Sequence, residues 1–519
     1  MAMTDRRKII RRKAWLALLL TIAFCAASTL AASWSHVRWD WTEDGLYTLS
    51  DSTRSVLQQL DAPIRITAYI TSGLPQPYGL MRRFIEDMLQ AYHEEGGDKV
   101  AFSVIDPSDD PKAMTTLTAL NVPKVRVQLV ENDQARVKQG YLAIVLDYLD
   151  KREVLPVISS ETGFEYLLTS KIRKLTGKGR PKIGIVDAYG SDGYDRLTRL
   201  RQLAGEDYDF IHVDPATKPI PSDADALIVA GLEQAPEEPF RYRLEQFRLS
   251  GRGLMVLAGN AKAALADQIN VRPVQAKANE WLKTDFGVAV EPGLVLDKQS
   301  GRILVHQPRG MFMLQTVVDY PFLLRLTDAH DAHPVTRHLK SVQIPFASPL
   351  ALVRQQGSQA LLSSSEFSTV QQGPPFDVDP LKSMQERFDG AHLKRSLVAV
   401  VHEGPGRKVF KKAPKGLEKE VMDKRADVSR WVVIGAPSML EDELLDENSL
   451  LFVLNVLDWL SGQDDMIDLR SRGGGQRPLS VLEDFERNLW KLVWMLVLPG
   501  VVVLMGLLRW RWLRRRRAA

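Results

Sequence analysis

Four side chains that could bind a divalent metal ion occur within nine residues of the chain, namely His330, Asp331, His333 and His338. Imidazole nitrogens and carboxylates are common ligands of zinc and other transition metals. Pro334 disfavours helical backbone at His333, so no regular element gathers the four side chains on one face. The pattern therefore indicates either a metal site or a solvated loop between strands. No catalytic residue and no bound cofactor is predicted from the sequence.

A second group of acidic side chains stands at the end of a predicted strand and consists of Asp106, Asp109 and Asp110. Binding sites of α/β folds often gather at strand ends, so these carboxylates could contact an ion or a ligand. The alternative is a turn in which Asp110, placed before Pro111, caps the following helix.

A glycine-bearing run, Tyr189-Gly190-Ser191-Asp192-Gly193, follows the first predicted strand of a later domain. Backbone amides in such a position can bind an anion. The run lacks the G-x-G-x-x-G spacing of dinucleotide-binding turns, so nucleotide binding is not expected. We predict a small-ligand cleft that includes Tyr189, Gly190, Ser191 and Asp106.

Two kinds of chemistry are excluded by what the sequence lacks. The single cysteine, Cys25, lies inside an apolar segment near the start of the chain, so disulfides, thiolate metal sites and cysteine nucleophiles are not expected elsewhere. The sequence also contains no G-x-x-x-x-G-K-[ST] phosphate loop. Binding of ATP by such a loop is therefore excluded.

Two apolar segments long enough to span a membrane stand near the ends of the chain, at 14–33 and 490–508. Each is bordered on its terminal side by a basic tail, at 1–13 and 509–519. The positive-inside rule places both termini in the cytoplasm and the region between the spans outside. The alternative for the first segment is a cleaved signal peptide. The tails hold the clusters of basic residues that account for the net charge of +4. These clusters adjoin the apolar segments and do not lie on a folded surface, so nucleic-acid binding is not predicted.

The region between the spans is predicted to begin with a domain at 38–160 that has a β-α-β-α-β-β order. Apolar periodicity predicts strands Pro63–Thr71, Lys99–Asp106, Val125–Val130 and Tyr141–Tyr148, and helices Gly79–Glu94 and Lys112–Leu120. The last two strands are expected to pair antiparallel across a turn at Asn132-Asp133. The order resembles a thioredoxin-like fold without its CxxC motif, so redox chemistry is not implied.

A connecting helix and linker at 161–180 lead into a second external domain at 181–470. Its compact apolar runs are typical of buried parallel strands. The runs are Lys182–Asp187, Asp209–Val213, Ala224–Ala230, Gly253–Ala258 and Val432–Gly435. The predicted fold class is α/β with a doubly wound sheet.

Two charged segments accompany the second domain. An insertion is predicted near 355–428, and its lysine-rich run from Arg407 to Arg425 indicates a solvated face or a docking surface for another protein. A charged, amphipathic helix at 476–489 is predicted to form a stalk that continues into the second membrane span.

Motifs in order along nearly the whole chain resemble the GldG-like auxiliary components of ABC transporters, a family named from gliding motility. They are Trp41-Thr-Glu-Asp-Gly-Leu-Tyr-Thr-Leu-Ser50, Ile105-Asp106-Pro107 with Asp109-Asp110-Pro111, Phe164-Glu165-Tyr166-Leu167-Leu168-Thr169-Ser170-Lys171-Ile172, His333-Pro334-Val335-Thr336, and Asn448 through Asn455-Val456-Leu457-Asp458-Trp459-Leu460. Ala436-Pro437-Ser438 departs from the pattern, which has a more acidic Gly-Asp-Ser-like turn there, so no ligand role is assigned to that turn.

The resemblance implies a non-enzymatic membrane subunit that works with an ABC-2-type permease and a separate ATPase. It places the protein in the bacterial inner membrane, with both termini cytoplasmic and the large domain periplasmic. It also implies a glutamine-amidotransferase-like second domain, in which Val256–Asn260 offers no nucleophile on the turn after a central strand. The external domains would bind a substrate, an envelope protein or a polysaccharide. The alternatives are a structural scaffold of a surface machine and a membrane-bound envelope hydrolase.

Overall fold

The computed structural model describes residues 48–473 with short gaps at 76–77, 132–133, 159, 162, 178–179, 266–268, 310–311, 328–332, 338, 340 and 355, together with residue 15 and isolated positions between 490 and 511. Apart from those isolated positions, both predicted spans, the basic tails and the predicted stalk lie outside the described residues. Among the residues described, no helix has the length and apolar character needed to cross a bilayer. The chain divides into a unit 1–474 and a unit 475–519, and all elements below belong to the first.

The N-terminal part of this unit is a small α/β sheet with its helices. In chain order it contains α1 (Asp51–Gln58), β1 (Ile64–Ile70), α2 (Tyr78–Gly96), β2 (Val100–Ile105), α3 (Pro111–Ala119), β3 (Val125–Glu131), β4 (Gln134–Gly140), β5 (Leu142–Tyr148), β6 (Lys151–Leu155) and α4 (Phe164–Leu175). The sheet order is β2-β1-β5-β6. Strands β1 and β2 are parallel, whereas β5 runs antiparallel to both β1 and β6.

The predicted pairing of Val125–Val130 with Tyr141–Tyr148 is wrong. Strand β3 instead pairs with β4 in a separate two-stranded hairpin, and β5 lies between β1 and β6. The physical reason is burial. The first five residues of β5 are all buried, so this strand is apolar enough for the centre of a sheet. The polar run of β4 has no such requirement, and it forms the return strand of the hairpin.

The second part of the unit is larger and is built around one mixed sheet. It begins with β7 (Lys182–Val186), α5 (Thr198–Ala204), β8 (Asp209–Val213), β9 (Ala226–Ala230), α6 (Glu238–Leu249) and β10 (Gly253–Leu257). The middle contains β11 (Ala261–Ala264), β12 (Asn270–Pro273), α7 (Lys277–Asp285), β13 (Val288–Val290), β14 (Leu294–Asp297), β15 (Ser300–Arg309), β16 (Phe312–Leu326) and β17 (Val342–Pro345). It ends with β18 (Leu350–Leu352), β19 (Ser358–Ser363), β20 (Ser368–Gln371), α8 (Met384–Phe388), β21 (Leu397–Pro405), β22 (Val428–Ile434), α9 (Glu447–Leu460) and α10 (Asp464–Gly473).

The main sheet has the order β13-β18-β21-β22-β10-β9-β7-β8, and β19 also pairs with β21. Strands β8, β7, β9, β10 and β22 are parallel, which confirms the prediction made from the apolar runs. Strand β21 is antiparallel to β22. The segment predicted as an insertion thus contributes β19 and β21 to the main sheet.

Helices cover both faces of the main sheet. Alternate residues of its strands point to opposite faces, and they pack in two different apolar clusters. Ile228 of β9 packs in the cluster that holds the buried residues of α5 and α9. Its neighbour Val229 packs in the cluster that holds Phe240 of α6 and Trp281 of α7. The result is a mixed α/β architecture in which apolar side chains are buried on both faces of the sheet.

Candidate functional site

The polar residues of interest lie at the carboxyl ends of the parallel strands. The chain winds outward from β7 in both directions, with β8 on one side and β9 on the other. In open α/β sheets, ligands bind outside the carboxyl ends of the strands at such a switch point. The loop that follows β7 is the run Tyr189–Gly193 singled out from the sequence.

Internal hydrogen bonds hold this loop in place. The Ser191 hydroxyl donates to the Val186 carbonyl at 2.9 Å and accepts from the Ala188 amide at 3.0 Å. The Glu233 amide donates to the Tyr189 carbonyl at 2.9 Å. Gly190 has a φ of +73°, and a Cβ there would lie 3.0 Å from the Cβ of Glu233. Only glycine therefore fits without strain.

A buried lysine ties the loop to the strand that follows β10. Lys262, on β11, has a side chain that is 2% exposed. Its Nζ donates to the Gly190 carbonyl at 2.8 Å and to Asp192 Oδ1 at 2.9 Å. Glu233 Oε1 lies 3.4 Å from the same nitrogen. A lysine removed from water in this way needs such partners, because an unpaired buried ammonium is strongly unfavourable.

Asp192 is the other half of this buried ion pair. Its side chain is 1% exposed, and its Oδ1 also accepts from Arg196 Nη1 at 3.2 Å. Its second oxygen, Oδ2, is buried and has no hydrogen-bond partner among the described residues. A single oxygen of this carboxylate thus accepts hydrogen bonds from both Lys262 and Arg196.

A cavity of about 530 Å³ opens beside the pair, within the usual size range of small-ligand sites. Lys262 and Arg196 reach its wall, and the remaining charged lining comes from the loop after β7, from β12 and from the turn after β22. Those further residues are Asp195, Arg272, Glu441, Asp442 and Glu443. The cavity therefore mixes cations and carboxylates, which suits a polar ligand.

Glu441 is a partly buried carboxyl of this lining. Burial raises the pKa of Glu441 to about 7, and the charge of Asp192 adds to the rise, whereas Lys262, a hydrogen bond with Ser438 and the charge of Arg196 oppose it. The carboxyl therefore changes charge near neutral pH, at the wall of the cavity.

Glu441 makes stability depend on pH, and Glu441→Gln is expected to remove that dependence. Because its folded pKa is above the unfolded value of 4.5, its contribution is fully present below about pH 4.5 and is lost as pH rises through about 7. After allowance for solvent screening, the variant should be about 1–2 kcal/mol more stable than the parent at pH 8 and nearly equal to it at pH 5. Thermal unfolding at both pH values measures this. Glu443→Gln, at an exposed neighbour, is the matched control, and an equal gap at both pH values would contradict the assignment.

The structure places the predicted cleft residues at two different sheets. Tyr189, Gly190 and Ser191 lie at the switch point of the main sheet, where their polar groups bond within the protein. Asp106 follows β2 of the four-stranded sheet and accepts from the amides of Ser72 at 2.8 Å and Ser108 at 2.9 Å. Burial would raise the pKa of Asp106, but these hydrogen bonds lower it on balance. The cavity at the main sheet is lined by neighbours of the predicted residues, and ligand binding there stays a prediction.

The acidic cluster near Asp106 has a structural use. Asp110 is the N-cap of α3, and its Oδ1 accepts from the Lys112 amide at 2.9 Å with Pro111 at the first helical position. This is the capping alternative predicted from the sequence.

Of the four predicted metal ligands, His333 is among the described residues. His330, Asp331 and His338 lie outside the described residues. His333 is 5% exposed, and its ring packs edge-on against Trp459, with centroids 5.0 Å apart. Among the residues that the structure describes, no group of three or more potential ligands could hold a metal ion. The described part of this segment is a turn packed on α9 rather than a solvated loop.

Four of the motifs quoted from the sequence contact one another in two pairs. The carboxylate of Glu165 on α4 accepts from the Ser50 amide at 2.8 Å and from the Thr53 hydroxyl at 2.6 Å, next to the N-terminus of α1. The side-chain amide of Asn455 donates to the Val335 carbonyl at 3.1 Å. These motifs join parts of the fold that are far apart in sequence.

The sequence patterns did not single out Lys262 or Glu441 as site residues. Lys262 is a lone charge within the run Ala261–Ala264, and that isolation was the available signal, because a cation in an apolar run after a central strand needs a buried partner. Glu441 carries no comparable signal, since it stands in a run of acidic residues.

Ser438 belongs to the turn that departs from the expected acidic pattern. Its hydroxyl accepts from the Ala263 amide at 3.0 Å and so fixes the turn after β22 against β11. The neighbouring Asn260, after β10, donates from its side-chain amide to the carbonyls of Glu291 at 2.6 Å and Gly293 at 2.9 Å. Both side chains are engaged in holding the edge of the sheet together.

Comparisons with known proteins cover both parts of the chain. A family model for a domain of unknown function (DUF7088) matches residues 43–147. An uncharacterized protein of Borreliella burgdorferi is 21% identical over 496 residues, which cover 92% of this chain and 93% of that protein.

Two solved structures align with about half of the chain. The mmIFT52 N-terminal domain has a TM-score of 0.33 and 12% identity, with 54% of this chain and 97% of that chain covered. A ThuA-like protein from Parabacteroides merdae has a TM-score of 0.29 and 10% identity, with 55% of this chain and 90% of that chain covered.

The main sheet and the elements around it match a second family model. It is described as an ABC-type uncharacterized transport system, and the match runs over residues 180–463, which is more than half of the chain. The chain therefore belongs to this family of auxiliary components of ABC-type transport systems.

Proposed function

We propose that the protein is a non-enzymatic, GldG-like auxiliary subunit that works with an ABC-2-type permease and a separate ATPase. The family match over residues 180–463 carries this proposal. The sequence supports the need for a separate ATPase, because it contains no phosphate-binding loop of the kind that P-loop ATPases use. An auxiliary component must act with other transporter components, and the permease and ATPase are the partners that we propose.

The proposed topology has two membrane spans, at 14–33 and 490–508, with both termini in the cytoplasm and the domains between them in the periplasm. The basic tails beside each apolar segment support this arrangement in a bacterial inner membrane. A reporter fused after Ala519 tests it. We expect cytoplasmic-type activity, and periplasmic-type activity there would contradict two spans.

We propose a thioredoxin-like topology for the N-terminal sheet and a glutamine-amidotransferase-like one for the main sheet. The order β2-β1-β5-β6 supports the first, because β1 and β2 are parallel and β5 runs antiparallel to both of its neighbours. For the second, support comes from the five parallel strands that wind outward from β7. The turn after β10 holds Asn260, whose side chain bonds two carbonyls, and this favours binding over catalysis at that turn.

The external domains are proposed to bind the transported substrate or an envelope partner, either a protein or a polysaccharide. The cavity at the carboxyl edge of the main sheet is the site that we propose for this contact, because it is polar, charged and next to the switch point.

A pull-down of the tagged full-length chain in mild detergent tests the proposed function. We expect an ABC permease and its ATPase to co-purify and to be identified by mass spectrometry. An intact, abundant protein that recovers neither would contradict the proposal and would favour a scaffold or an envelope hydrolase. The unrelated control is a second two-span membrane protein purified with the same tag.

A further inference from the structure

A second cavity, of about 640 Å³, shares no lining residue with the first. The two-stranded sheet of β14 and β20 forms one side, and α8 with residues 391–394 forms another. The Lys394 amide donates to the Ser368 carbonyl at 2.8 Å, so the 391–394 segment is fixed beside β20. The cavity is therefore built by ordered backbone on several sides.

Two residues of the cavity wall hold buried polar atoms without hydrogen-bond partners among the described residues, namely Arg387 Nε and Gln371 Oε1. The Arg387 side chain is 2% exposed, and its other nitrogens donate to the carbonyls of Asp377, at 2.8 Å, and Asp379. The Gln371 amide nitrogen donates to the same Asp377 carbonyl at 3.2 Å. One donor of the α8 guanidinium, which also faces the Phe322 ring with Cζ 5.2 Å from its centroid, and one neutral acceptor on β20 are thus left without hydrogen-bond partners among the described residues, which is costly without a ligand or water.

The lining carries three cations and two carboxylates. The cations are Lys382, Arg387 and Lys394, against Glu291 and Glu386, and Lys382 already pairs with Asp377 at 2.8 Å. The Glu386 carboxylate already accepts from the Ser383 amide at 3.0 Å in a capping box. Lys394 is exposed, and the described residues include no ion pair for it. An anion in this cavity would therefore meet the ammonium of Lys394, which has no ion pair among the described residues, and a guanidinium donor from Arg387.

We propose that this cavity binds a small oxyanion that also carries a hydrogen-bond donor, a phosphate or a hydroxy-carboxylate. The anionic oxygens accept from Arg387 Nε and Lys394, and the hydroxyl of the ligand donates to Gln371 Oε1. Such a ligand satisfies both unpartnered atoms at once, whereas a simple cation satisfies only Gln371 Oε1 and an apolar molecule satisfies neither. The cavity volume is within the range typical of small-molecule sites.

Calorimetric titration of the full-length chain in detergent tests the site, with inorganic phosphate and malate as separate probes. Hydrogenphosphate and malate each combine anionic oxygens with a hydroxyl donor, and the comparison shows whether the site prefers phosphate or carboxylate. We expect at least one of them to bind. Lys394→Glu should weaken that binding by about tenfold or more, because an attractive charge becomes a repulsive one, and Gln371→Met should weaken it by about fivefold.

The matched control is Lys411→Glu, which makes the same charge change at an exposed lysine that does not line the cavity. It should leave the affinity unchanged. Three results would overturn the proposal, all in folded protein. They are no heat with either probe, equal weakening by Lys394→Glu and Lys411→Glu, and no effect of Gln371→Met.

Discussion

Replacing Lys262 with methionine is expected to lower the free energy of unfolding by about 3–5 kcal/mol, the loss typical when one partner of a buried ion pair is removed. Methionine keeps most of the volume of the lysine stem, so little of the loss comes from a cavity. The main cause is Asp192, whose buried carboxylate loses its ammonium and keeps only the partly exposed Arg196. The Gly190 carbonyl loses its donor as well. Chemical or thermal unfolding followed by circular dichroism measures the change.

Two further variants show whether the loss comes from the ion pair. Lys283→Met changes an exposed lysine on α7 and should alter stability by no more than about 0.5 kcal/mol. The double variant Lys262→Met with Asp192→Asn should recover part of the loss, because a neutral amide no longer needs a buried cation. A loss below about 1 kcal/mol for Lys262→Met would mean that Asp192 finds another partner or water.

The strands of the main sheet could be predicted because each is a short run of apolar residues. Strands β7, β9 and β10 have buried side chains on both faces, so the run itself is the signal. The hairpin of β3 and β4 could not be predicted in the same way. Residues Gln134–Gly140 are mostly polar, so no apolar run marks this strand, and its pairing with β3 follows from the short connection between the two strands.

The site was harder to predict than the sheet, because its residues come from four distant segments. Asp192, Glu233, Lys262 and Glu441 follow β7, β9, β10 and β22, and only the strand order brings them together. The location after β7 was predictable, since the carboxyl ends of parallel strands meet at one edge. The partners were not, because a pairing between Lys262 and Asp192 has no signature in local sequence.

His333 shows a second limit of local sequence. Histidine and aspartate at close spacing suggested a metal site or a solvated loop, yet the ring of His333 is buried against Trp459. Local sequence does not report this contact, since the two residues are far apart along the chain. The hydrogen bond from Asn455 to the Val335 carbonyl is a second contact between α9 and this turn.

A buried charged network connects α4, which packs in the N-terminal core, with α9 and α10 of the larger part. Arg470, on α10, forms an ion pair with Asp458 on α9, with Nη1 and Oδ2 2.5 Å apart and both side chains at most 6% exposed. Its Nη2 donates to the Tyr166 hydroxyl on α4 at 2.8 Å. The Tyr166 hydroxyl in turn donates to Asp207 Oδ2 at 2.6 Å. Two of the motifs quoted from the sequence thus meet at this arginine.

Arg470→Met is expected to lower the free energy of unfolding by about 3–5 kcal/mol, because Asp458 is left as a buried charge beside the Tyr208 hydroxyl alone. Burial already raises the pKa of Asp458 to about 6 against the opposing charge of Arg470. Without the arginine that pKa should rise further, so the variant should lose more stability at pH 8 than at pH 5. Unfolding of the full-length protein at both pH values measures this difference.

Two comparisons separate the network from a general effect of losing an arginine. Arg407→Met, at an exposed arginine whose backbone carbonyl rather than side chain contacts Arg248, should change stability by no more than about 0.5 kcal/mol. Adding Asp458→Asn to Arg470→Met should restore part of the loss and remove its pH dependence, since the amide cannot ionise. If the loss is the same at pH 5 and pH 8, the uncompensated charge of Asp458 is not its cause. The broken contact between Arg470 and Tyr166 would then account for it, and the network would act mainly by joining α4 to α10.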